Sequence, residues 1–173
     1  EELEEIQEQL SEETELIRLQ NELKVKQESI EQRTLLYDEI ARRTQPQSLA
    51  ISDLSRRAVN TTDAELRDKF RKRIALLGSY IKRYANLIIL SAENDTISVG
   101  ELGLSFAEVL RYLNLYGIPG EMMNVASGSI PAENALVVFE AFETLIEHAL
   151  PTANGVIVNI AQESGGGHCA RLL

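Results

Sequence analysis

The residues with reactive side chains are few, and their spacing limits the chemistry that they could perform. The chain has two histidines, His148 and His168, and one cysteine, Cys169. His168 and Cys169 are adjacent, so on a strand their side chains point to opposite faces and do not form a catalytic pair. Glu147 lies beside His148, but the sequence offers no third metal ligand nearby. We therefore expect neither a catalytic residue nor a metal site.

A tyrosine followed by two acids, Tyr37, Asp38 and Glu39, lies within a helical pattern that also contains Pro46. A phenol with a pKa near 10 is only about 0.1% ionised at pH 7, so Tyr37 is a poor nucleophile. It shares a seven-residue spacing with Ile30, which indicates a packing role instead. Proline inside a helix costs about 3 kcal/mol, so we expect Pro46 to mark a bend.

The first 59 residues predict a long helix, because they contain no glycine and one proline. Apolar residues recur every seven positions, as in a two-stranded coiled coil, at Leu16, Leu23, Ile30 and Tyr37. An earlier apolar set in another phase comprises Leu3, Ile6 and Leu10. We expect residues 1–32 to form a coiled coil whose register slips. Such a coil either has two accessible arrangements or is simply poorly packed.

Two helical segments of similar length, 33–59 and 63–92, follow each other with a short break between them. Thr62 and Glu65 match a capping box and predict the start of the second helix. That helix carries one apolar stripe at Leu66, Phe70, Ile74, Leu77, Ile81, Tyr84 and Ile88. Since each helix of such an antiparallel hairpin buries one stripe, we expect residues 33–93 of two copies to pair as a four-helix bundle.

Residues 97–173 predict a small α+β domain. Ser98 with Glu101 predicts a capped helix that ends at Gly117, and Pro131 is expected to open a second helix in its first turn. Strand-length segments are "EMMNVAS", "GVIVNIAQE" and "HCARLL", the last two joined by a turn at "SGGG". The order helix, strand, helix, strand, strand predicts a two-layer sandwich in which two helices cover one face of a sheet.

The charge and composition exclude several classes of protein. With 17 basic and 27 acidic residues the net charge is −10, so we expect no binding to nucleic acid. A single cysteine excludes an internal disulfide and fits a reducing compartment. No apolar run reaches the roughly 18 residues that a spanning helix needs, so we expect a cytoplasmic location. Because the chain begins with Glu1, we expect a piece of a longer protein, whose parent could be anchored in a membrane.

The stretch "LLYDEIARRTQPQSLAI" resembles the first hairpin helix of bacterial sensor histidine kinases, where a histidine precedes an acidic residue and a helix-kinking proline. "FEAFETLIEHA" is similar to the first motif of that family's ATP-binding domain, the gyrase, Hsp90, kinase and MutL (GHKL) type. The resemblance covers roughly residues 30–173. It implies a dimerisation and phosphoacceptor hairpin at 33–93 and a partial GHKL domain at 97–173. The coiled coil expected at 1–32 would then be the signalling element that precedes them.

The resemblance implies site residues by position. Those at the phosphoacceptor motif are Tyr37, or Ala41 in a second alignment, with Asp38 and Glu39 as the following acids and Pro46 as the hinge. Those at the first ATP-domain motif are Glu140, Thr144 and His148. Neither Tyr37 nor Ala41 is a histidine, and Thr144 replaces an asparagine amide that would bind Mg²⁺. "SGGGH" at 164–168 fits a hairpin turn better than a phosphate loop, because no helix begins after it.

These features lead to a signalling hypothesis. The chain is expected to be the homodimeric cytoplasmic module of a histidine kinase-like protein of a two-component system, without the phosphoacceptor histidine or a complete ATP site. ATP and Mg²⁺ would bind only if the family function is retained, and the basic face at 67–73 would steer an acidic response regulator. Two alternatives stay open: a divergent active kinase whose remaining ATP-binding boxes lie beyond residue 173, and a structural coiled-coil adaptor.

Overall fold

The first helix is long, as the glycine-free sequence predicts. The computed structural model describes residues 2–162 and 168–173, and helix α1 spans Glu2–Arg43. The chain divides into two units, Glu1–Glu39 and Ile40–Leu173. In the first unit the residues of the predicted seam are exposed to solvent, with Leu23 67% and Ile30 58% accessible. The predicted domain boundaries at residues 32 and 93 stay predictions.

A break separates the first two helices where the sequence predicts a bend. Helix α2 spans Gln45–Asn60, with Pro46 in its first turn. The missing N–H of proline removes no hydrogen bond within α2, but it prevents the bond to residue 42 that a helix running on from α1 would need. Thr44 lies between α1 and α2 and is buried. Its N–H and its hydroxyl both donate to the carbonyl of Ile40, at 3.0 and 2.8 Å. The bend expected at Pro46 is thus a helix break centred on the preceding Thr44.

Helix α3, Ala64–Glu93, packs along α2 as the second arm of a hairpin. Its cap differs from the prediction. The N-cap is Asp63, whose side chain accepts from the N–H groups of Glu65 and Leu66, so the predicted Thr62 capping box is wrong by one residue. A carboxylate at the N-cap also interacts favourably with the helix dipole, which explains why it is preferred to the neighbouring hydroxyl.

The buried face of α3 is wider than the single predicted stripe. Phe70, Leu77, Tyr84 and Ile88 of that stripe are buried, whereas Leu66 is 39% exposed. Further buried residues outside the stripe are Leu76, Ser79, Tyr80 and Leu87. The additional buried arc exists because α3 packs against two later helices as well as against α2. The prediction that each hairpin helix buries only one stripe is therefore wrong for α3.

The remaining elements alternate between short strands and two helices. In chain order they are β1 (Thr96–Ser98), α4 (Val99–Tyr116), β2 (Gly120–Val125), β3 (Ser129–Pro131), α5 (Ala132–Ala149), β4 (Val156–Gln162) and β5 (His168–Leu172). Strands β1 and β3 pair antiparallel as a two-stranded ribbon. The larger sheet has the order β2-β4-β5, with β2 and β4 parallel and β4 and β5 antiparallel. The described chain is mostly helical and compatible with the α+β class.

Local signals in this part of the sequence are largely confirmed. The Ser98 side chain accepts from the N–H of Glu101 and caps α4, and Gly117 ends α4 in the left-handed conformation at φ 111°. Pro131 is the last residue of β3 and the N-cap of α5, rather than a residue of the first turn. The two three-residue strands, β1 and β3, are absent from the sequence-based prediction.

The core of the second unit is formed by aromatic rings from α3, α4 and α5. Phe139 is fully buried and stacks on Tyr80 with the ring centroids 5.1 Å apart. Phe106 and Phe142 have centroids 4.6 Å apart and extend the cluster towards β4. Among the described residues, no helix combines the length and the apolar character needed to cross a membrane.

Candidate functional site

The phosphoacceptor motif suggested by the sequence lies on α1, in the first unit. Tyr37 is 63% exposed and Asp38 is exposed, while Glu39 is half-buried. Tyr37 is thus an exposed phenol at a position of the predicted seam. The packing role predicted for Tyr37 stays a prediction.

The three residues suggested at the ATP-domain motif are four apart on α5, and two of them bond only to their own helix in the described contacts. The Thr144 hydroxyl donates to the carbonyl of Glu140 at 3.0 Å. Nδ1 of His148 lies 2.7 Å from the carbonyl of Thr144. Thr144 and His148 are both exposed. The Thr144 hydroxyl and Nδ1 of His148 are thus both bonded to the backbone of α5.

Glu140 differs from these two, because its carboxylate is bonded to other elements. The Tyr84 hydroxyl on α3 donates a short hydrogen bond to Oε1 of Glu140. Nη1 of Arg43, at the end of α1, lies 3.4 Å from the same oxygen and 3.0 Å from the Tyr84 hydroxyl. A carboxylate that accepts from a phenol and an arginine together is held in place by charge-assisted hydrogen bonds.

Two more glutamates on the same side of α5 repeat this arrangement. Nε2 of Gln47, on α2, donates to Oε1 of Glu143 at 3.3 Å. Arg73, on α3, forms an ion pair with Glu147. We call the three carboxylates Glu140, Glu143 and Glu147, together with their partners Arg43, Gln47, Arg73 and Tyr84, the carboxylate ladder. It connects α5 to the residues on either side of the helix break and to α3.

The ladder changes the ionisation of its members. Burial raises the pKa of the Glu143 carboxyl, and the negative charge of Glu147 adds to the effect, while the hydrogen bond from Gln47 opposes it. Burial and then the hydrogen bond to Glu140 raise the pKa of Tyr84 to about 12, against the opposing effect of Arg43. Burial, followed by the charge of Glu143, also raises the pKa of Tyr80. The phenols are therefore neutral at pH 7, and the Tyr84 hydroxyl keeps its proton while donating a hydrogen bond to Glu140.

An apolar cavity of about 490 Å³ lies on another side of α5. Its lining combines the first turns of α5 with α4, β3 and the larger sheet: Val99, Leu102, Ser129, Ile130, Pro131, Asn134, Val137, Val138, Ile160 and Ala170. Glu140, Thr144 and His148 are not part of this lining. The suggested ATP-motif residues therefore do not line this cavity.

Two further expectations concern the glycine turn and the metal ligands. Residues 164–167 of "SGGGH", like the preceding residue 163, lie outside the described residues, and His168 pairs with Gln162 where β5 meets β4. Within residues 2–162 and 168–173, no group of three or more His, Cys, Asp or Glu side chains could hold a metal ion. The pairing of β4 with β5 is the hairpin predicted from the sequence.

Sequence reasoning identified Glu140 but missed its partners. Arg43 and Tyr84 are 41 residues apart, and Arg43 and Glu140 are 97 apart, so no local pattern connects them. The available signal was the spacing of the glutamates at positions 140, 143 and 147, which places three carboxylates on one side of α5. Such a row next to the buried face predicts partners on the adjoining helices.

No protein-family model, no curated protein and no solved structure matches this chain.

Proposed function

We propose that this chain is the cytoplasmic signalling module of a sensor histidine kinase-like protein that has lost the chemistry of the family. In this proposal it relays conformational change through a dimer, and it neither phosphorylates itself nor binds Mg-ATP productively. The parent would belong to a two-component system, and the output would be recognition of a response regulator.

The observation that carries the proposal is the order of elements after the hairpin. An antiparallel helix pair, α2 and α3, is followed by two helices that alternate with the strands of a small mixed sheet. This is the succession that the motif resemblance implies for residues 33–173. The order also accommodates "FEAFETLIEHA" on α5, the helix on which the family's first ATP motif would lie.

The identities and contacts of the site residues support a loss of catalysis. Tyr37 and Ala41 supply no imidazole at either phosphoacceptor alignment. Thr144 places a short hydroxyl where an amide oxygen would bind Mg²⁺, and that hydroxyl donates to the carbonyl of Glu140. The Glu140 carboxylate is engaged by Tyr84 and Arg43. A group in such contacts has first to be released before it could act as a base.

Exposure of the seam supports a homodimer. Within the first unit Leu16, Leu23 and Ile30 are each more than half exposed at seven-residue intervals. A row of leucine and isoleucine side chains at this spacing is buried when two helices coil around each other. The proposal therefore includes a parallel pairing of two copies through this row.

A basic surface near the turn of the hairpin supports an acidic partner. Its exposed cations are Arg56, Arg57, Lys69, Arg71 and Lys72. Val59 is 83% exposed beside them in sequence and offers an apolar contact. The whole chain carries a charge of −10, so a local excess of positive charge makes this surface the preferred point of approach for an acidic partner. Such a surface would steer an acidic response regulator towards the hairpin.

Incubation with labelled Mg-ATP tests the loss of catalysis. We expect no phosphate that is stable to base and labile to acid, the behaviour of phosphohistidine. If such a label appears, His148→Gln and His168→Gln would locate it, and the divergent active kinase would replace this proposal. Calorimetric titration with ATP adds a second measurement, because micromolar binding would also favour the active enzyme.

A structural coiled-coil adaptor is separated from a signalling module by the basic surface. We expect an isolated acidic response regulator domain to bind the dimer. We also expect the charge reversal Arg71→Glu to weaken binding more than the equivalent reversal Arg18→Glu on α1. Binding that responds equally to both changes, or a dimer that binds no such domain, would favour the adaptor.

A further inference from the structure

Two residues that flank the helix break both reach α5. Arg43 precedes Thr44 and contacts Glu140, and Gln47 follows Pro46 and contacts Glu143. The donors are four residues apart and the acceptors three apart, so each pair lies about one helical turn from the other. The break is thus held to α5 from both of its sides.

Tyr84 connects these contacts to α3. Its hydroxyl accepts from Arg43 at 3.0 Å and donates to Glu140, which closes a triangle of three side chains from three helices. The side chains of Arg43 and Glu140 are 32% and 45% exposed. Hydrogen bonds between charged groups that are partly removed from water are stronger than those of a fully exposed pair. The triangle can therefore favour one angle of the break over others.

Fewer backbone hydrogen bonds fix the angle at the break than would fix it in a continuous helix. Proline has no N–H to donate, so one backbone hydrogen bond of a continuous helix cannot form at Pro46. The flanking bonds persist, since the N–H of Thr44 donates to Ile40 and the N–H of Ser48 donates to Thr44, both at 3.0 Å. A helical segment that lacks one backbone hydrogen bond, with intact hydrogen bonds before and after it, bends more readily than α1 or α2 does.

We propose that Arg43, Gln47, Tyr84, Glu140 and Glu143 form a latch that couples the helix break at Thr44 to α5. In the closed state, seen in this structure, the latch holds the first turn of α2 to α5 and occupies the Glu140 carboxylate. In the open state the break bends freely and Glu140 is released. Because coupling between two sites is reciprocal, a disturbance at either end loosens the other.

The use of the latch in signal relay rests on the proposed function, but the latch itself is a property of the folded chain. Hydrogen exchange measured without nucleotide or partner tests it. In Glu140→Ala we expect the amides of residues 44–48 to exchange at least ~5-fold faster, because a charge-assisted contact is lost. In Gln47→Ala we expect faster exchange over residues 140–147, which tests the reverse direction.

Glu108→Ala is the matched control. Glu108 accepts from Lys82 at 2.9 Å and pairs with Arg83, so it is also a glutamate that connects two helices, but it does not contact the break. We expect it to leave exchange at 44–48 unchanged. The inference is overturned if Glu140→Ala leaves residues 44–48 unchanged, or if it accelerates residues 102–110 by the same factor, which would indicate general destabilisation. Failure of the proposed function would appear as nucleotide-dependent labelling, a different measurement.

Discussion

Helix α1 up to Glu39 and helix α3 both carry apolar residues at helical spacing, but they use them differently. On α1 these side chains remain exposed, and Leu23 is 67% accessible. On α3 they are buried, and Tyr84 and Leu87 are fully inaccessible. The periodicity of a sequence predicts which face of a helix is apolar, but only neighbouring elements decide whether that face is covered. Within the second unit, α2, α4 and α5 cover the apolar face of α3, whereas the described seam residues of the first unit remain exposed.

The largest effect on stability is expected from truncating the side chain at the centre of the aromatic core of the second unit. Phe139 is fully buried and stacks on Tyr80, so Phe139→Ala should lower the free energy of unfolding by about 3–5 kcal/mol. Urea unfolding followed by circular dichroism measures the loss. Val137→Ala is the control, because Val137 is 62% exposed on the same helix and should change stability by less than about 0.5 kcal/mol. Equal losses would contradict the view that the core is centred on Phe139.

The next effect concerns the uncovered seam. Leu23→Asp should raise the dissociation constant of the dimer by at least ~100-fold, because each of two buried leucines contributes about 1.5–3 kcal/mol. Sedimentation equilibrium measures the association. Unfolding of the second unit should be unchanged, because Leu23 is not part of it.

Asn21→Asp is the matched control for the seam. It adds the same charge two residues away, at an exposed position outside the seven-residue spacing. We expect the dimer to tolerate this change. A wild-type chain that sediments as a monomer at all concentrations, or a dimer equally sensitive to both substitutions, would exclude pairing through the seam.

Two glycines of the second unit test its packing through smaller changes in the free energy of unfolding. A Cβ added at Gly120 would lie 2.9 Å from Cδ2 of Leu110, and Asn114 bonds both the N–H and the carbonyl of Gly120. Gly120→Ala should therefore cost about 1–3 kcal/mol. At Gly78 on α3 a Cβ meets nothing within 4 Å, so Gly78→Ala should stabilise the helix by about 0.5–1 kcal/mol. Opposite signs in urea unfolding are the expected result, and a loss at both positions would mean that α3 is covered more closely than described.

Sequence reasoning succeeded where a structural feature depends on a few adjacent residues. Ser98 caps α4 and Gly117 ends it, as their residue types predict. Asp63 replaced Thr62 as the cap because both side chains can accept hydrogen bonds and the pattern does not distinguish neighbours. Strands β1 and β3 escaped prediction because three residues are too few to show alternation.

The candidate site was less predictable than the elements. The motif spacing located Glu140, Thr144 and His148 on one helix, but it could not indicate that Glu140 bonds to Arg43 and Tyr84. Those contacts depend on how α3 and α5 pack, and that packing is determined by aromatic residues far apart in the chain. The additional buried arc of α3 has the same origin.

The smallest predicted effect comes from the carboxylate ladder and has a defined dependence on pH. Burial raises the pKa of Glu143 above its unfolded value, so the folded chain holds this proton more tightly than the unfolded chain does. The stabilisation from proton uptake is complete below the ordinary glutamate pKa of about 4.3 and is lost as the pH rises through the raised value. Glu143→Gln keeps an acceptor for Gln47 without the charge. It should raise the free energy of unfolding at pH 7 by about 0.5 kcal/mol, a small value because the site is partly solvated.

Glu108→Gln, in the same second unit, should change the free energy of unfolding in the opposite direction. Burial alone would raise the pKa of Glu108, but hydrogen bonds from Lys82 and Arg83 outweigh it and lower the pKa. The stability that Glu108 contributes is therefore present above the ordinary glutamate pKa and is lost as the pH falls through the lowered value. Glu108→Gln should destabilise the fold at pH 7, and Glu143→Gln should stabilise it. Urea unfolding between pH 4 and 8 separates the two, and equal pH profiles for both variants would show that the carboxylate ladder has no distinct electrostatic environment.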